Sequence, residues 1–135
     1  MAFIKNYDEL DVFKEAFSLS LEIHKASLGF PKIEQYALAD QLRRSSKSIC
    51  ANIAEGFAKQ QSSKTEFRRF LLIALGSSEE TSLWIKYTKE LSYINEACAT
   101  DWDSRSNKVS RMLQSLISKM AKNINNDESD TRQFG

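Results

Sequence analysis

Glycine, proline, cysteine and histidine are all scarce in this chain of 135 residues. It contains four glycines, one proline, two cysteines and one histidine. So few helix-breaking residues favour long helices over the turn-rich strands of a β-sandwich or barrel. No alternating Val/Ile/Thr-rich segment bounded by turn residues is present either, so we assign no strand.

The two cysteines, Cys50 and Cys98, stand far apart, each inside an apolar helical pattern. Without CxxC spacing or neighbouring histidines, they are typical of small buried hydrophobic residues in a reducing compartment. A pairing or redox role is the alternative that the sequence leaves open. A chain of this length buries roughly two thirds of its unfolded surface, so it needs neither a disulfide nor a structural metal to fold.

Long hydrophobic runs are missing as well. No apolar run approaches the ~18 residues of a membrane-spanning helix. The first ten residues, MAFIKNYDEL, lack the apolar core of a secretory signal. We therefore expect a cytoplasmic protein that does not contact a membrane.

Charge is nearly balanced overall, at a formal +1, but it is unevenly distributed. Residues 41–69 hold seven lysines and arginines against two acids, so the rest of the chain is net negative. The overall balance favours neither nucleic acid nor an acidic partner, whereas the local surplus is a candidate anion-binding region.

Apolar residues recur at helical spacing in four segments, which predict helices over about 8–29, 33–59, 64–93 and 96–125. Ser63 and Glu66 have the Ser-x-x-Glu spacing of a capping box before the third helix, and Asn95 can cap the fourth. Short links make sequential helices antiparallel. The prediction is one all-α domain, an antiparallel up-down-up-down four-helix bundle over 1–125, with a mobile polar tail at 126–135.

The first and third predicted helices each carry two adjoining apolar stripes, more than one four-helix core can bury. Copies of the same chain would cover the remaining apolar face best. The sequence therefore predicts a homo-oligomer without giving its order.

Candidate catalytic residues are few. His24 lies on an apolar stripe with no base, nucleophile or metal ligand at a recognisable spacing, so a packed structural histidine is the simplest interpretation. The Arg-x4–6-His signature of some helical ribonucleases, the Glu-x-x-His pairs of di-iron bundles and phosphate-binding glycine loops are all absent. We predict no enzymatic activity, no cofactor and no metal.

Basic residues on two neighbouring helices could instead form a patch that contacts phosphate groups. The candidate nucleic-acid-binding residues are Arg43, Arg44, Lys47, Arg68 and Arg69. The alternative is that they are solvated, or that Arg43 or Arg44 pairs with Glu55, Glu79 or Glu80 across the bundle or between subunits. Gly76, inside the third helix, indicates either a tolerated glycine or a close helix–helix approach at Gly76-Ser77.

Several of these residues belong to a recognisable pattern. It consists of Phe30-Pro31 followed by Glu34, then Gln41-Leu42-Arg43-Arg44, Ser48 and Asn52-Ile53-Ala54-Glu55-Gly56, and in the third helix Phe70, Ala74, Gly76-Ser77 and Glu79-Glu80. Over about residues 8–120 the chain resembles the four-helix-bundle proteins encoded in intervening sequences of bacterial 23S rRNA genes.

This resemblance implies a ring-like homopentamer of antiparallel four-helix bundles. Relatives of that family include the accessory variability determinant of diversity-generating retroelements, which binds nucleic acid and a reverse transcriptase. We therefore expect a non-enzymatic, homo-oligomeric binding module, with RNA or DNA as the leading ligand and a reverse transcriptase as a possible protein partner. A purely structural or protein-interaction scaffold is the alternative. In either case the expected structural or interface residues are Gln41, Asn52, Glu55, Gly56, Gly76, Ser77, Glu79 and Glu80.

Overall fold

Four α-helices account for most of the chain. The structure, a computed structural model, describes the backbone of residues 3–134 and the side chains of residues 3–127. The helices are α1 (Asp11–Ser27), α2 (Leu38–Lys59), α3 (Lys64–Glu90) and α4 (Glu96–Phe134). No strand occurs among the described residues. The predicted all-α class with four helices is confirmed.

Short polar side chains cap two of the helices as the sequence predicts. The hydroxyl of Ser63 accepts a hydrogen bond from the Glu66 backbone N–H at 3.1 Å. The side-chain oxygen of Asn95 accepts one from the Cys98 N–H at 2.8 Å. Each bond satisfies a backbone donor that a first helical turn leaves without a partner.

The end of α3 has the hydrogen-bond pattern of a Schellman motif, three residues earlier than the predicted end of the helix. The Tyr93 N–H donates to the Thr88 carbonyl at 3.0 Å, and the Ser92 N–H donates to the Lys89 carbonyl at 2.9 Å. Ser92 has φ 60°, in the left-handed region where glycine is usual. Ser92, two residues after the end of α3, therefore has local backbone strain.

The helix bounds differ from the predicted ones mainly in α2 and α4. The segment predicted to begin α2 at residue 33 forms a 3₁₀ turn, Lys32–Glu34, and α2 itself begins at Leu38. The α4 helix continues through Phe134, so its end was placed too early at residue 125. Residues 126–134 contain neither proline nor glycine, and a helix propagates through polar residues once it is nucleated. The mobility of this segment stays a prediction.

Hydrogen bonds across α2–α3 and across α3–α4 show that each of these two pairs runs antiparallel, because residue numbers rise on one helix as they fall on the other. Ser45 meets Thr81 at 2.9 Å and Ser48 meets Ser77 at 2.9 Å between α2 and α3. The corresponding α3–α4 contacts are Ser78–Ser110 at 2.7 Å, Ser82–Ser106 at 2.5 Å and Lys64–Asp127 at 2.7 Å.

The core has two apolar clusters. One contains Val12, Phe13, Ala16, Ile49, Ile53, Phe67, Leu71, Ala74, Val109, Leu113, Ile117 and Met120. The other contains Leu19, Ile23, Phe30, Ala39, Leu42, Ile85 and Trp102. At the level of the bundle where α2 runs from Leu42 to Ile49, all four helices contribute buried hydroxyl residues. We name this set the hydroxyl belt: Ser20, Ser45, Ser46, Ser78, Thr81, Ser106 and Ser110.

The belt links the helices by short side-chain hydrogen bonds, including Ser20–Ser46 at 3.2 Å between α1 and α2. Because buried hydroxyls are costly without partners, the belt favours the helix register in which these pairs meet.

Within the described residues, no helix is both long enough and apolar enough to cross a membrane.

Candidate functional site

Arg43, the first of the candidate phosphate-binding residues, fastens the α1–α2 connection. Its guanidinium donates to the Ser27 hydroxyl at 2.9 Å, to the Gln35 side-chain oxygen at 3.3 Å and to the Gln35 carbonyl at 2.8 Å. The side chain is half-buried. Arg43 therefore acts as an internal clamp in this structure, with its donors turned toward its own chain.

Gln35 completes this clamp and was not anticipated from the sequence. Its amide donates to the carbonyls of Ser27 at 2.9 Å and Phe30 at 3.0 Å. Nearby, the Tyr93 hydroxyl donates to the Glu34 carboxylate at 2.8 Å, and this bond raises the pKa of Tyr93. The connection between α1 and α2 is thus fixed by side chains from three parts of the chain.

Arg44 and Lys47 are both exposed on α2. Arg44 lies 3.6 Å from the Asp40 carboxylate, one helical turn away, and its side chain is 77% exposed. The Lys47 ammonium lies 3.0 Å from Nδ1 of His24 on α1. Surface pairs of this kind contribute little to stability, so both cations stay accessible to a partner.

Arg68 and Arg69 lie near the other end of α2 and α3. The Arg69 guanidinium pairs with the Glu66 carboxylate at 3.0 Å and stands 4.6 Å from the centroid of the Phe70 ring. Nε of Arg68 is buried and has no hydrogen-bond partner. A buried N–H without an acceptor is unfavourable, and its burial keeps Nε itself out of reach of a ligand in solution.

The five candidate cations lie in two groups at different levels along the bundle. Arg68 and Arg69 adjoin Phe70, which is packed against Gly56, whereas Arg43 stands thirteen residues earlier on α2. That separation corresponds to about 20 Å along the helix axis. The two groups therefore stand at different levels of a single protomer, and their use as one phosphate-contacting patch stays a prediction.

The two helix glycines differ completely in their surroundings. A Cβ at Gly56 would stand 2.7 Å from the Phe70 Cβ, so glycine permits the close approach of α2 and α3. A Cβ at Gly76 would meet nothing within 4 Å. Of the two alternatives for Gly76-Ser77, Ser77 lies at the α2–α3 contact, whereas Gly76 itself is a tolerated glycine within the protomer. There it costs about 1 kcal/mol in helix propensity relative to alanine.

The remaining candidate interface residues divide between packing and solvent. The Ser77 hydroxyl meets Ser48 across the α2–α3 interface, and the Asn52 amide donates to the Ser48 carbonyl at 2.8 Å. The other four are exposed: Gln41, Glu55, Glu79 and Glu80. The Glu80 carboxylate accepts a bond from the Trp84 indole N–H at 3.2 Å. Because Arg43 and Arg44 have other partners, the proposed pairing of Glu79 or Glu80 with them does not occur within the protomer.

A second feature missed from the sequence is the polar contact between α1 and α4. The Glu22 carboxylate accepts bonds from the Trp102 indole N–H at 3.1 Å and from Arg105, which also contacts Asp101 at 3.1 Å. Burial lowers the pKa of Arg105, but the two carboxylates outweigh that effect and raise it overall. This cluster holds α1 against α4.

Beside α2, an open groove of about 360 Å³ runs along α1. We name it the α1–α2 groove; it is lined by Phe17, Ser20, Leu21, His24, Lys47 and Cys50. Phe17 and Leu21 are 47% and 45% exposed. Burial raises the pKa of the Cys50 thiol to about 11, so the thiol is neutral at physiological pH and is not an activated nucleophile.

The solvent side of α3 is a second uncovered apolar surface. We name it the α3 ridge; it comprises Leu72, Ile73, Gly76, Leu83 and Tyr87, and its four apolar side chains are 41–51% exposed. These positions lie on the side of the helix opposite the buried Ala74, Ser78 and Ile85.

Among the residues with described side chains, no group of three or more His, Cys, Asp or Glu is placed to hold a metal ion.

Comparison with known proteins identifies a family and a similar crystal structure. The family model described as 23S rRNA-intervening sequence protein matches residues 8–115. A crystal structure from Bacteroides thetaiotaomicron, described as a protein with unknown function from the S23 ribosomal protein family, is similar with a TM-score of 0.71 and 25% identity. That similarity covers 79% of this chain and 95% of the other. No curated protein matches the chain.

Proposed function

This chain belongs to the 23S rRNA-intervening sequence protein family, and we propose that it is a non-enzymatic protein that assembles with copies of itself and serves as a binding scaffold. The observation that carries this proposal is the pair of uncovered apolar surfaces, the α1–α2 groove and the α3 ridge. Both lie in well-formed helices, so neither reflects an incomplete fold.

Self-association explains these surfaces better than solvent exposure does. Burying apolar area is favourable by about 25 cal/mol per Å², and contiguous apolar patches on a protein surface usually mark interaction sites. Two different surfaces on one protomer can build a head-to-tail assembly, which closes into a ring when its symmetry permits. A homopentamer, as the resemblance implies, is one such ring.

The groove also holds the strongest candidate for catalysis, since Cys50, His24 and Lys47 all line it. A catalytic cysteine activated by a neighbouring imidazole would have a lowered pKa, whereas that of Cys50 is raised by burial. His24 is the only histidine of the chain, and its ring contacts Lys47. The chemistry of these three residues therefore favours a packing surface over an active site.

Sedimentation at micromolar concentration tests the proposal. We expect a mass that is a multiple of the 15.4 kDa protomer. A well-folded single copy over the whole micromolar range would overturn it.

RNA or DNA is the ligand of the second candidate function, which the exposure of Arg44 favours. The Arg44 guanidinium could donate to phosphate oxygens, Arg68 stays a candidate from the sequence, and assembly would repeat the two separate groups around many protomers. A reverse transcriptase as a protein partner and a cytoplasmic location stay predictions.

Filter binding of RNA across a salt series tests this second function. Phosphate binding predicts that affinity falls steeply with salt. In an Arg44→Gln, Arg68→Gln double variant, the salt slope should decrease by roughly one for each guanidinium that no longer binds a phosphate. A Lys25→Gln, Lys32→Gln variant is the matched control for removal of two charges. Affinity that is independent of salt, or an equal decrease in the control, would contradict specific binding by these arginines.

A further inference from the structure

Gly76 is the point from which the mode of self-association can be inferred. It stands in the middle of the α3 ridge, on the solvent side of a long helix, with open space where a Cβ would be. Gly56 has an evident role in packing within the protomer, but Gly76 has none. A glycine at the centre of an apolar helix face permits another backbone or bulky side chain to approach closely.

The α1–α2 groove lies level with this glycine along the bundle. Ser48, which lies on α2 between the groove residues Lys47 and Cys50, hydrogen-bonds at 2.9 Å to Ser77, the immediate neighbour of Gly76. The centre of the groove and the centre of the ridge are therefore at the same height on different sides of the protomer. A head-to-tail contact between surfaces at equal height involves no displacement along the bundle axis, so copies whose bundles stand parallel to the symmetry axis would close into a ring.

The charges beside the two surfaces are complementary. Glu79 and Glu80 are exposed beside Gly76, and within the described part of the chain neither carboxylate forms an ion pair. The groove carries the exposed Lys47, whose partner in the protomer is the imidazole of His24. Opposite charges placed this way favour one surface meeting the other and disfavour ridge-to-ridge contact, where four carboxylates would be brought together.

We propose that the α3 ridge of one copy packs into the α1–α2 groove of the next, with Gly76 at the closest approach and Glu79 and Glu80 facing Lys47. This inference rests on the self-assembly proposed above and specifies its contact. The occupant of the groove is thus a second copy of this chain, and each protomer uses one ridge and one groove.

Two exposed substitutions test this pairing by complementation. Leu83→Glu impairs the ridge and leaves the groove intact, whereas Leu21→Glu impairs the groove and leaves the ridge intact. We expect each variant alone to sediment as a 15.4 kDa single copy. An equimolar mixture should form one-to-one dimers and nothing larger, because the only intact pairing joins the ridge of one variant to the groove of the other.

The control is Ile33→Glu, which places the same charge at a residue that is 83% exposed and outside both surfaces. It should keep the wild-type mass, and circular dichroism should show unchanged helix content in all three variants. Wild-type assembly by both Leu variants would overturn the pairing while leaving self-assembly standing. Loss of assembly in Leu83→Glu but not in Leu21→Glu would indicate ridge-to-ridge contact and would also overturn the ridge-to-groove pairing. A wild-type protein that sediments as a single copy would overturn self-assembly itself.

Discussion

Arg43 and Arg44 are adjacent in sequence and belong to the same basic cluster, yet they have different roles. Arg43 donates to Ser27 and Gln35 across the α1–α2 connection, and Arg44 points to solvent beside Asp40. The difference comes from the 100° rotation between consecutive helical residues, which turns one side chain toward α1 and the other away from it. Charge alone therefore does not indicate which arginine is available to a ligand.

Replacing Arg43 should destabilise the protomer. We expect Arg43→Ala to lower the free energy of unfolding by about 1.5–3 kcal/mol, because its partners Ser27 and Gln35 lose a charged donor in a half-buried site. Arg43→Lys should rescue only part of this loss, since an ammonium cannot reproduce the planar set of donors. Urea unfolding measures the change. Arg44→Ala is the control, expected within ~0.5 kcal/mol of wild type; equal effects at the two positions would contradict the clamp.

Ser92 offers a stabilising substitution. Because its φ is 60°, a Cβ is strained there, and Ser92→Gly should raise the free energy of unfolding by about 0.5–1 kcal/mol. Thermal unfolding followed by circular dichroism measures the gain. The same change at Ser104, exposed within α4, should instead destabilise by about 0.5 kcal/mol. A loss of stability in Ser92→Gly would show that its left-handed conformation is not strained.

At the scale of the helices, the sequence predicted what depends on local pattern. The repeats of apolar residues and the caps at Ser63 and Asn95 are local signals, and the structure confirms them. The bonds of Gln35 to the end of α1 lie in irregular backbone, for which no periodic pattern exists. The predicted start of α2 at residue 33 is too early because Lys32–Glu34, whose residues are compatible with an α-helix, forms a 3₁₀ turn instead.

The position of the candidate site was harder to predict than the helices. In an antiparallel hairpin, residues equally distant from the turn lie side by side. Arg68 is near the α2–α3 turn and Arg43 is far from it, so the two arginines lie at different levels. The unused donor of Arg68 and the open space at Gly76 depend on tertiary packing, which composition and spacing do not encode.

The two helix glycines give opposite predictions for the same substitution. Gly56→Ala should lower the free energy of unfolding by about 1–3 kcal/mol, because the 2.7 Å approach to the Phe70 Cβ forces α2 and α3 apart. Gly76→Ala should raise it by about 1 kcal/mol, since alanine is the better helix former and meets no neighbour in the protomer.

Both glycine substitutions are best measured in the Leu83→Glu background, so that assembly does not enter the comparison. Urea unfolding of the two variants then reports on the protomer alone. Stabilisation by Gly56→Ala would contradict the close packing of α2 on α3.

At the scale of the whole molecule, the hydroxyl belt divides the core into two apolar clusters. Its side chains are small, so the helices approach closely at this level, and each buried hydroxyl needs a partner on the helix beside it. Shifting any helix by one turn would separate these pairs. The belt thus contributes to a single helix register at some expense in apolar burial.

The Ser78–Ser110 pair allows the energetic coupling between two belt hydroxyls to be measured. Ser78→Ala and Ser110→Ala should each lower the free energy of unfolding by about 1 kcal/mol, because each leaves a buried hydroxyl without its 2.7 Å partner. The double variant should lose about as much as either single variant, since no orphaned hydroxyl remains. Strictly additive losses would show that the pair is not coupled; Ser118→Ala, exposed on α4, is the neutral control.

The polarity of the links between two belt serines is biased by the helix backbone. The Ser46 hydroxyl donates to the Arg43 carbonyl at 3.1 Å, so the proton of the Ser20–Ser46 link comes from Ser20. The Ser78 hydroxyl likewise has the Ser106 carbonyl at 3.5 Å as an acceptor besides Ser110. Reversing either link would therefore cost a hydrogen bond to a carbonyl. A charge brought against the outside of the helices would meet O–H dipoles that the backbone holds in one orientation.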